Sequence, residues 1–324
     1  MFYAYTFLNK EGGLMVKYIA KKLLYAFITI WIVVSATFFM MQAIPGDPFM
    51  NEKRVVPEIK ENLRKYYGLD KPLHEQYFIY MKNLMTGKLG MSFHYKNRTV
   101  NEIIKNGFPI SASLGMRALI AGLIAGISLG VVAALNHNRG WDRFSIFVAI
   151  IGVSIPGFVI AAALQWIFGV KLRWLPVAQW KSFAHTIMPT FSLSLGLIAN
   201  LARFMRSSML DVISQDYIKT AKAKGLSPFE IVWRHELRNA ILPVITILGP
   251  WIAVIITGTF VIETVFAIPG LGKFYVQSIN MQDYTLITGI TAFFGSILVI
   301  MNMFVDIAYG LIDPRIRISK NSSK

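Results

Sequence analysis

The chain has 324 residues, of which 55% are hydrophobic and only 15% charged, and its mean hydropathy is +0.51. This balance excludes an ordinary soluble domain and is typical of a multi-span membrane protein. There is no cysteine, which excludes disulfides, thiolate catalysis and cysteine-ligated zinc. The net charge is +16. In a membrane protein we expect such charge to set the topology of loops rather than to bind nucleic acid.

Long apolar runs recur along the chain, each close to the length of about 20 residues that crosses a bilayer. The fourth run is short and contains Pro189 among polar residues, so we expect it to face protein or a cavity rather than lipid. The third contains Pro156, which predicts a kinked helix. The runs predict an all-α integral membrane protein with six transmembrane helices, at 23–44, 118–135, 144–170, 186–202, 241–266 and 286–312.

Lys and Arg predict the orientation of these helices. They are concentrated in the segments that would share one side and are sparse in the short loops opposite. The positive-inside rule therefore predicts cytoplasmic N- and C-termini. Met15 opens a run that resembles a natural start, so we expect 1–14 to be an extension or a misassigned start. The segments assigned to the cytoplasm are the tails 1–22 and 313–324, the loop 136–143 and the segment 203–240.

Residues 45–110 separate the first span from the rest of the chain. Apolar residues with helical spacing at 57–67 and 72–85, and a stop at Gly68, predict an extracytoplasmic helical cap. A floppy loop is the alternative, and the aromatic content disfavours it. Residues 111–312 then form the transmembrane core.

Small residues recur at every fourth position of the second span. This stripe predicts close contact with another helix. Glu263 and Asp306 lie near span ends, where pairing or capping is as reasonable as a role in transport. Since no span carries a charged residue at its middle, an ion-coupled carrier is disfavoured. The residues of the stripe are Ala118, Gly122, Gly126, Gly130 and Ala134.

The cytoplasmic segment 203–240 has two helix signals. Gly225 suits the left-handed position that ends a first helix. The run SPFE at 227–230 predicts a capping box with proline at the first helical position. The second helix carries Phe229 and Trp233 and leads into the fifth span. The segment could lie on anionic headgroups, form a solvated loop, or insert into a groove on a cytosolic partner.

A family resemblance rests on motifs that occur in order along almost the whole chain. With TAKAKG at 220–225 and Leu-Pro at 242–243, they resemble the B-type permease subunit of oligopeptide, dipeptide and nickel ABC importers. Lys219 stands where the family's cytoplasmic E-A-A-x-x-x-G motif has glutamate. The other motifs are IPGDP at 44–48, YGLDKPLHEQY at 67–77, GKLGMSF at 87–93, VIETVFAIPGLGK at 261–273 and YGLIDPRIR at 309–317.

The resemblance implies a type I ABC importer permease fold in the plasma membrane of a prokaryote. It implies a non-enzymatic, pore-forming subunit for peptide uptake, with a homologous C-type permease, two ATP-binding subunits and an extracellular peptide-binding protein as partners. ATP and Mg would bind those partners, and this chain would bind no cofactor, metal or nucleic acid. The alternatives are nickel or glutathione as substrate, an ATP-independent carrier or channel, and a membrane enzyme.

Two sets of candidate residues follow. The resemblance implies a role in coupling to the ATPase for Lys219, Thr220, Ala221, Gly225, Ser227, Phe229, Glu230, Trp233, Leu242 and Pro243. The neutral polar residues of the third to sixth spans are candidates for lining the translocation cavity, namely Ser154, Gln165, Ser192, Ser194, Asn200, Thr257, Thr259 and Asn302.

Overall fold

The chain folds as a succession of α-helices. The computed structural model describes residues 2–44, 57–95, 97–257 and 259–312, and within these ranges it contains no named strand, which confirms the predicted all-α class. Most of IPGDP and the tail 313–324 lie outside the described residues. The helices are α1 Phe2–Ala43, α2 Pro57–Tyr67, α3 Leu73–Met85, α4 Val100–Leu135, α5 Gly140–Ser154, α6 Gly157–Leu164, α7 Ala184–Ile213, α8 Asp216–Ala223, α9 Pro228–Glu230, α10 Leu237–Thr257, α11 Phe260–Val265, α12 Leu271–Asn280 and α13 Tyr284–Ile312.

Four helices in the described part of the chain are long and apolar enough to cross a membrane: α4, α7, and the stretches Ile19–Ala43 of α1 and Tyr284–Val305 of α13. A bent pair, α5 with α6 and the π-helical Gln165–Lys171, can make a fifth span. The predicted span 241–266 is not one helix, because α10 ends at Thr257 and α11 begins at Phe260. The structure thus supports several spans and leaves the number six as a prediction.

The predicted kink at Pro156 is a complete break. The axes on either side of it differ by 105°. Ile155 is extended, with φ −100° and ψ 123°, as expected for a residue that precedes proline. Pro156 then stands at the N-cap of α6. The missing N–H and the ring of proline therefore end one helix and start the next.

Two helices are longer than predicted. α7 continues eleven residues beyond 202, to Ile213, and this extension carries Arg206, which is paired with a buried carboxylate. α4 begins at Val100, so the predicted boundary at 111 between cap and core falls inside a helix. A capping box starts α4: Thr99 accepts a hydrogen bond from the Glu102 N–H, and Glu102 accepts one from the Thr99 N–H, both at 3.2 Å.

The fourth predicted span is buried in protein, as expected. In the most apolar window of α7, 56% of the residues are buried within this chain, against 11% in α1. The buried positions of α7 include Pro189, Ser192 and Ser194. Polar groups in a membrane helix are best tolerated where protein covers them.

The chain divides into two compact units, Met1–Gly107 with Phe274–Lys324, and Phe108–Lys273. In the first unit α1 packs against α13. The predicted cap helices are present as α2 and α3, and Gly68 ends α2 with φ +70°. A small core of Val34, Met81 and Ala292 joins α3 to the two membrane helices.

A buried carboxylate fixes the loop between α3 and α4 in this first unit. Asp283 accepts hydrogen bonds from the Ser92 hydroxyl and from the backbone N–H groups of Phe93, at 2.9 Å, and His94, at 3.3 Å. It also accepts from the Leu286 N–H at 3.0 Å, which caps α13. One side chain therefore holds the loop that contains the GKLGMSF motif.

The second unit is built around α7. Its largest core lies where α4 and α10 meet α7, and includes Leu197, Leu201, Met205 and Val244. A second core, which includes Phe266, joins the middle of the unit to α6 and α11. The segment 203–240 belongs to this unit and runs from the end of α7 to the start of α10.

Candidate functional site

The segment 203–240 is folded rather than loose. The end of α7 leads into α8, and Gly225 follows with φ +75°, the left-handed conformation predicted for it. Ile218, Ala221 and Ile231 are buried together, with Leu226 packed against them. Of the three readings left open by the sequence, a floppy loop does not fit this core.

The predicted capping box at residues 227–230 is present in full. Ser227 Oγ accepts a hydrogen bond from the Glu230 N–H at 3.3 Å, and Glu230 Oε2 accepts from the Ser227 N–H at 3.3 Å and from its hydroxyl at 3.1 Å. These hydrogen bonds lower the pKa of Glu230, with the Ser227 N–H as the main cause. The start of α9 is therefore fixed in position.

Two aromatic side chains project from this fixed start. Phe229 is 70% exposed and Trp233 is 56% exposed, and their ring centroids lie 6.0 Å apart. We call this pair the aromatic face. Because the small core behind it is already closed, the aromatic face is not needed to complete the fold of the segment. An exposed apolar patch on a folded support is typical of a contact surface.

The remaining candidates for coupling differ in exposure. Lys219 is exposed and pairs with Asp216 at 2.9 Å, while the Thr220 hydroxyl donates to the Asp216 carbonyl at 3.1 Å. Ala221 is buried and therefore supports the segment from inside. Leu242 is about half exposed, and Pro243 lies within α10 rather than at its start.

Sequence reasoning missed Glu236, which is 3% exposed. Its Oε2 atom has no hydrogen-bond partner among the described residues, and burial raises the pKa of the carboxyl, an effect opposed by Lys222. Ile231–Glu236 is π-helical, which brings residues five apart onto one face, so Glu236 shares the buried side of Ile231. In a regular α-helix, position 236 would not share a face with position 231. The sequence contains no signal for the π-helical turn.

The segment is joined to the membrane helices by polar contacts. Arg206 on α7 binds Asp142 on α5 through two hydrogen bonds, of 2.5 Å from Nε and 2.8 Å from Nη2. His137 Nδ1 lies 3.4 Å from the same carboxylate. The Ser208 hydroxyl donates to the Ala240 carbonyl at 2.7 Å, which connects α7 to the start of α10.

Of the candidate cavity residues, Ser192 lies at a cavity in the described part of the chain. Ser192 is among the described residues that line an apolar cavity of about 270 Å³ beside the α5–α6 break, together with Gly152 and Phe158. Ser154 is exposed. Asn302 lies in the first unit, and the side chain of Thr257 lies outside the described residues.

Most of the other candidates bond to nearby groups in the second unit. Ser192 and Ser194 donate to carbonyls of their own helix, and Asn200 donates to the Gly196 carbonyl. Gln165 donates to the carbonyls of Val177 and Val265, at 2.9 and 3.2 Å. Hydroxyls and amides that bond to carbonyls of their own helix in this way satisfy their hydrogen-bonding capacity locally.

Glu263 connects Thr259 to Gly272 near the end of the predicted fifth span. The carboxylate is fully buried and accepts hydrogen bonds from the Thr259 hydroxyl at 2.5 Å and the Gly272 N–H at 2.7 Å. Thr259 is thereby used structurally. Of the two roles left open for this carboxylate, the geometry fits capping. The side chain of Asp306 lies outside the described residues.

The glycine stripe of α4 lies directly against α7. A Cβ atom built on Gly122 would come 2.5 Å from Leu197 Cδ2. One built on Gly126 would come 2.7 Å from Leu201 Cβ. One built on Gly130 would come 2.6 Å from Met205 Cβ and 2.7 Å from the Ala202 carbonyl oxygen. At Gly126 and Gly130 the added carbon would also meet backbone atoms of α7, so the two backbones approach each other there more closely than a side chain allows, whereas at Gly122 it would meet the Leu197 side chain.

Two family models match the chain. The model described as "Binding-protein-dependent transport system inner membrane component" covers residues 126–318, and the model of the corresponding N-terminal region covers 15–115. Between them the two models include the cap, the aromatic face and the part of the glycine stripe from Gly126 onward.

Curated relatives match over 94% of this chain. The dipeptide transport system permease protein DppB of Bacillus subtilis is 47% identical over 306 residues and is itself covered to 99%. The oligopeptide transport system permease proteins OppB of Haemophilus influenzae and Escherichia coli K12 are 43% and 42% identical and are covered completely. Among solved structures, a chain from a crystal structure of an amino acid ABC transporter with histidines aligns with a TM-score of 0.49 and 12% identity, over 66% of this chain and 94% of that chain.

Proposed function

The chain belongs to the family of inner-membrane components of binding-protein-dependent transport systems, and from this premise we propose that it is the pore-forming permease subunit of a peptide importer. Relatives named for dipeptide and oligopeptide transport, at 42–47% identity across nearly the whole chain, support peptides as the substrate class. An external binding protein delivers the peptide, and a second, homologous permease completes the pore. The membrane is the cytoplasmic membrane of a prokaryote.

The aromatic face carries the mechanistic part of the proposal. Phe229 and Trp233 are exposed on a segment whose own core is closed and whose helix start is fixed by a capping box. A rigid helix start with two exposed rings fits a groove on a folded partner better than it fits solvent. That partner is an ATP-binding subunit, one for each permease, and ATP and Mg bind there.

Lys219, Thr220 and Glu230 supply polar contacts to the same ATP-binding subunit, and Ala221 and Gly225 hold the segment in shape. Closure of the ATP-binding subunits moves the aromatic face, and the movement reaches the membrane helices through α7 and α10. Leu242 and Pro243 lie where the segment joins the fifth span.

The proposal includes six spans and cytoplasmic termini. The chain has no cysteine, so single cysteines can be introduced without a background signal. Lys219→Cys is expected to resist a membrane-impermeant maleimide applied to spheroplasts and to react after the membrane is opened. Lys88→Cys, in the cap, is expected to react before opening. The reverse pattern would overturn the orientation.

The docking proposal is tested by the double substitution Phe229→Ala with Trp233→Ala. The complex is reconstituted in proteoliposomes, and peptide uptake and ATP hydrolysis are measured with and without binding protein. We expect uptake to fall at least tenfold and the stimulation of ATP hydrolysis by loaded binding protein to disappear, since loss of contact-surface aromatics commonly costs 2 kcal/mol or more, about 30-fold in affinity.

Trp174→Ala with Phe183→Ala is the matched control. It removes the same two ring types from exposed positions outside the segment 203–240. This control is expected to keep the stimulation of ATP hydrolysis. Normal uptake and stimulation in the Phe229/Trp233 variant, with the complex intact, would show that the aromatic face is not the docking surface.

A further inference from the structure

The first unit contains a cavity that the proposed transport function does not use. Its volume is about 470 Å³, within the range of small-ligand pockets. Part of the wall is apolar and aromatic, with Phe38 and Met41 from α1 and Ile79 and Tyr80 from α3. Burial raises the pKa of Tyr80 to about 12, so the phenol stays neutral and the wall carries no negative charge from it.

The polar part of the wall is basic. Lys65, Lys71 and Lys88 line the cavity, and no Asp or Glu is among its described lining residues. Lys65 pairs with Glu61 at 2.9 Å, whereas the structure records no carboxylate partner for Lys71 or Lys88 within its described residues. Among the described residues the cavity therefore presents lysine side chains beside an apolar wall, which fits an amphiphilic anion.

The cavity lies at the level where two membrane helices end. Phe38 and Met41 belong to the last turns of the span Ile19–Ala43, and Tyr284 and Thr288 belong to the first turns of the span Tyr284–Val305. Aromatic and basic side chains at span ends occupy the headgroup region of a bilayer. The site is thus within reach of a lipid headgroup.

The cap helix α3, beside the cavity, exposes large apolar side chains. On α3 the side chains of Phe78 and Met85 are about 70% exposed, and Ile79, which lines the cavity, is 41% exposed. Exposed apolar side chains on the helix that lines a cavity at a span end favour a lipid over a wholly water-borne ligand.

We propose that this cavity binds one anionic glycerophospholipid, with its phosphate between Lys71 and Lys88 and an acyl chain along Phe38, Met41 and Ile79. The lipid fills the space between the cap helices and the ends of α1 and α13, and so stabilises the cap on the membrane. The inference depends on the first unit alone and stands whether or not the aromatic face docks an ATPase.

The test measures lipid binding by the full chain, purified in mild detergent in its assembled form. Phosphatidylglycerol and phosphatidylcholine with identical acyl chains are titrated separately, and bound lipid is counted by native mass spectrometry. We expect one phosphatidylglycerol to bind tightly and phosphatidylcholine to bind weakly. Lys71→Ala with Lys88→Ala is expected to weaken phosphatidylglycerol binding about 30-fold, the equivalent of about 1 kcal/mol for each lysine.

The control pair is Lys82→Ala with Lys105→Ala, two exposed lysines of the same unit that do not line the cavity. It is expected to bind like the wild type, and a photoreactive acyl chain is expected to label residues of α1 and α3 that line the cavity. Equal binding of both lipids, equal loss in both variant pairs, or labelling of the cavity by a photoreactive peptide and not by the lipid would overturn the proposal.

Discussion

Replacing the glycines of α4 by alanine one at a time tests how closely α4 and α7 approach. Each substitution gains up to about 1 kcal/mol of helix propensity and loses about 1–3 kcal/mol where the added methyl overpacks a contact. At Gly130 the methyl would meet Met205 Cβ at 2.6 Å and two backbone atoms, the Ala202 oxygen at 2.7 Å and the Arg206 nitrogen at 3.1 Å. These backbone atoms cannot move aside by a change of rotamer, so the two helices must separate. We therefore expect Gly130→Ala to lower the free energy of unfolding by about 2 kcal/mol.

At Gly122 the nearest atom is the end of the Leu197 side chain, at 2.5 Å, which can change rotamer. The gain in helix propensity and the cost of overpacking then nearly cancel, and we expect the free energy of unfolding to change by close to zero. Gly126, which faces Leu201 Cβ at 2.7 Å and the Ile198 oxygen at 3.1 Å, should lie between the two. Gly140→Ala is the control, because a Cβ there meets nothing within 4 Å.

The assay is unfolding of the purified chain in mixed micelles by titration with SDS, followed by tryptophan fluorescence. Gly140→Ala should be neutral or slightly stabilising. The order of destabilisation should be Gly130, then Gly126, then Gly122. A Gly130→Ala variant as stable as wild type, or a Gly122→Ala variant less stable than Gly130→Ala, would refute the close approach of the two backbones.

Three further predictions concern buried charges. Arg206→Ala leaves the Asp142 carboxylate buried without this partner and should lower the free energy of unfolding by about 3–5 kcal/mol in the same assay. The double variant Arg206→Ala with Asp142→Leu should recover part of that loss. Equal stability of the single and the double variant would contradict the pairing. Burial raises the pKa of Glu236, so the contribution of this carboxyl to stability is present at pH below its unfolded pKa and is lost as the pH rises through its folded pKa. Glu236→Gln should remove this loss in unfolding curves recorded from pH 4 to 9. An unchanged pH dependence in the variant would mean that the carboxyl ionises freely in the folded protein. Asp283→Ala removes the acceptor of four hydrogen bonds and should make the loop before α4 sensitive to limited proteolysis, with Asp70→Ala, an exposed carboxylate of the same unit, as the control that stays resistant.

Local chemistry was predictable from the sequence wherever it acts over a few residues. The capping box at 227–230, the left-handed Gly225 and the break at Pro156 each depend on contacts between residues at most four apart, and each is present. The capping box of Thr99 and Glu102 has the same T-x-x-E pattern, so the start of α4 could also have been found.

Features that depend on contacts between residues far apart in the chain could not be predicted from the sequence. Arg203 ends the apolar run of the predicted fourth span, and the pairing of Arg206 with Asp142, 64 positions away, is a contact that the local pattern does not reveal. Asp283 holds a loop that lies about 190 positions earlier in the chain. The cavity residues were chosen by polarity alone, and polarity does not distinguish Ser192, whose hydroxyl bonds to its own helix, from Ser154, which is exposed. In a membrane helix a hydroxyl can satisfy the backbone one turn earlier, so its presence says little about a pore.

The contacts behind the aromatic face form a continuous path to the membrane helices. Ile231, at the base of the aromatic face, packs on Ile218, and Val212 at the end of α7 packs against the same core. Further along α7, Ser208 holds α10, and Arg206 holds α5. Each link is a buried side chain or a short hydrogen bond, which deforms little under load. Under the proposed docking, we expect a displacement of the aromatic face by the ATP-binding subunit to move α7 together with the helices attached to it. Arg206→Ala, which cuts this path, should then reduce peptide uptake more than it reduces binding of the ATP-binding subunit.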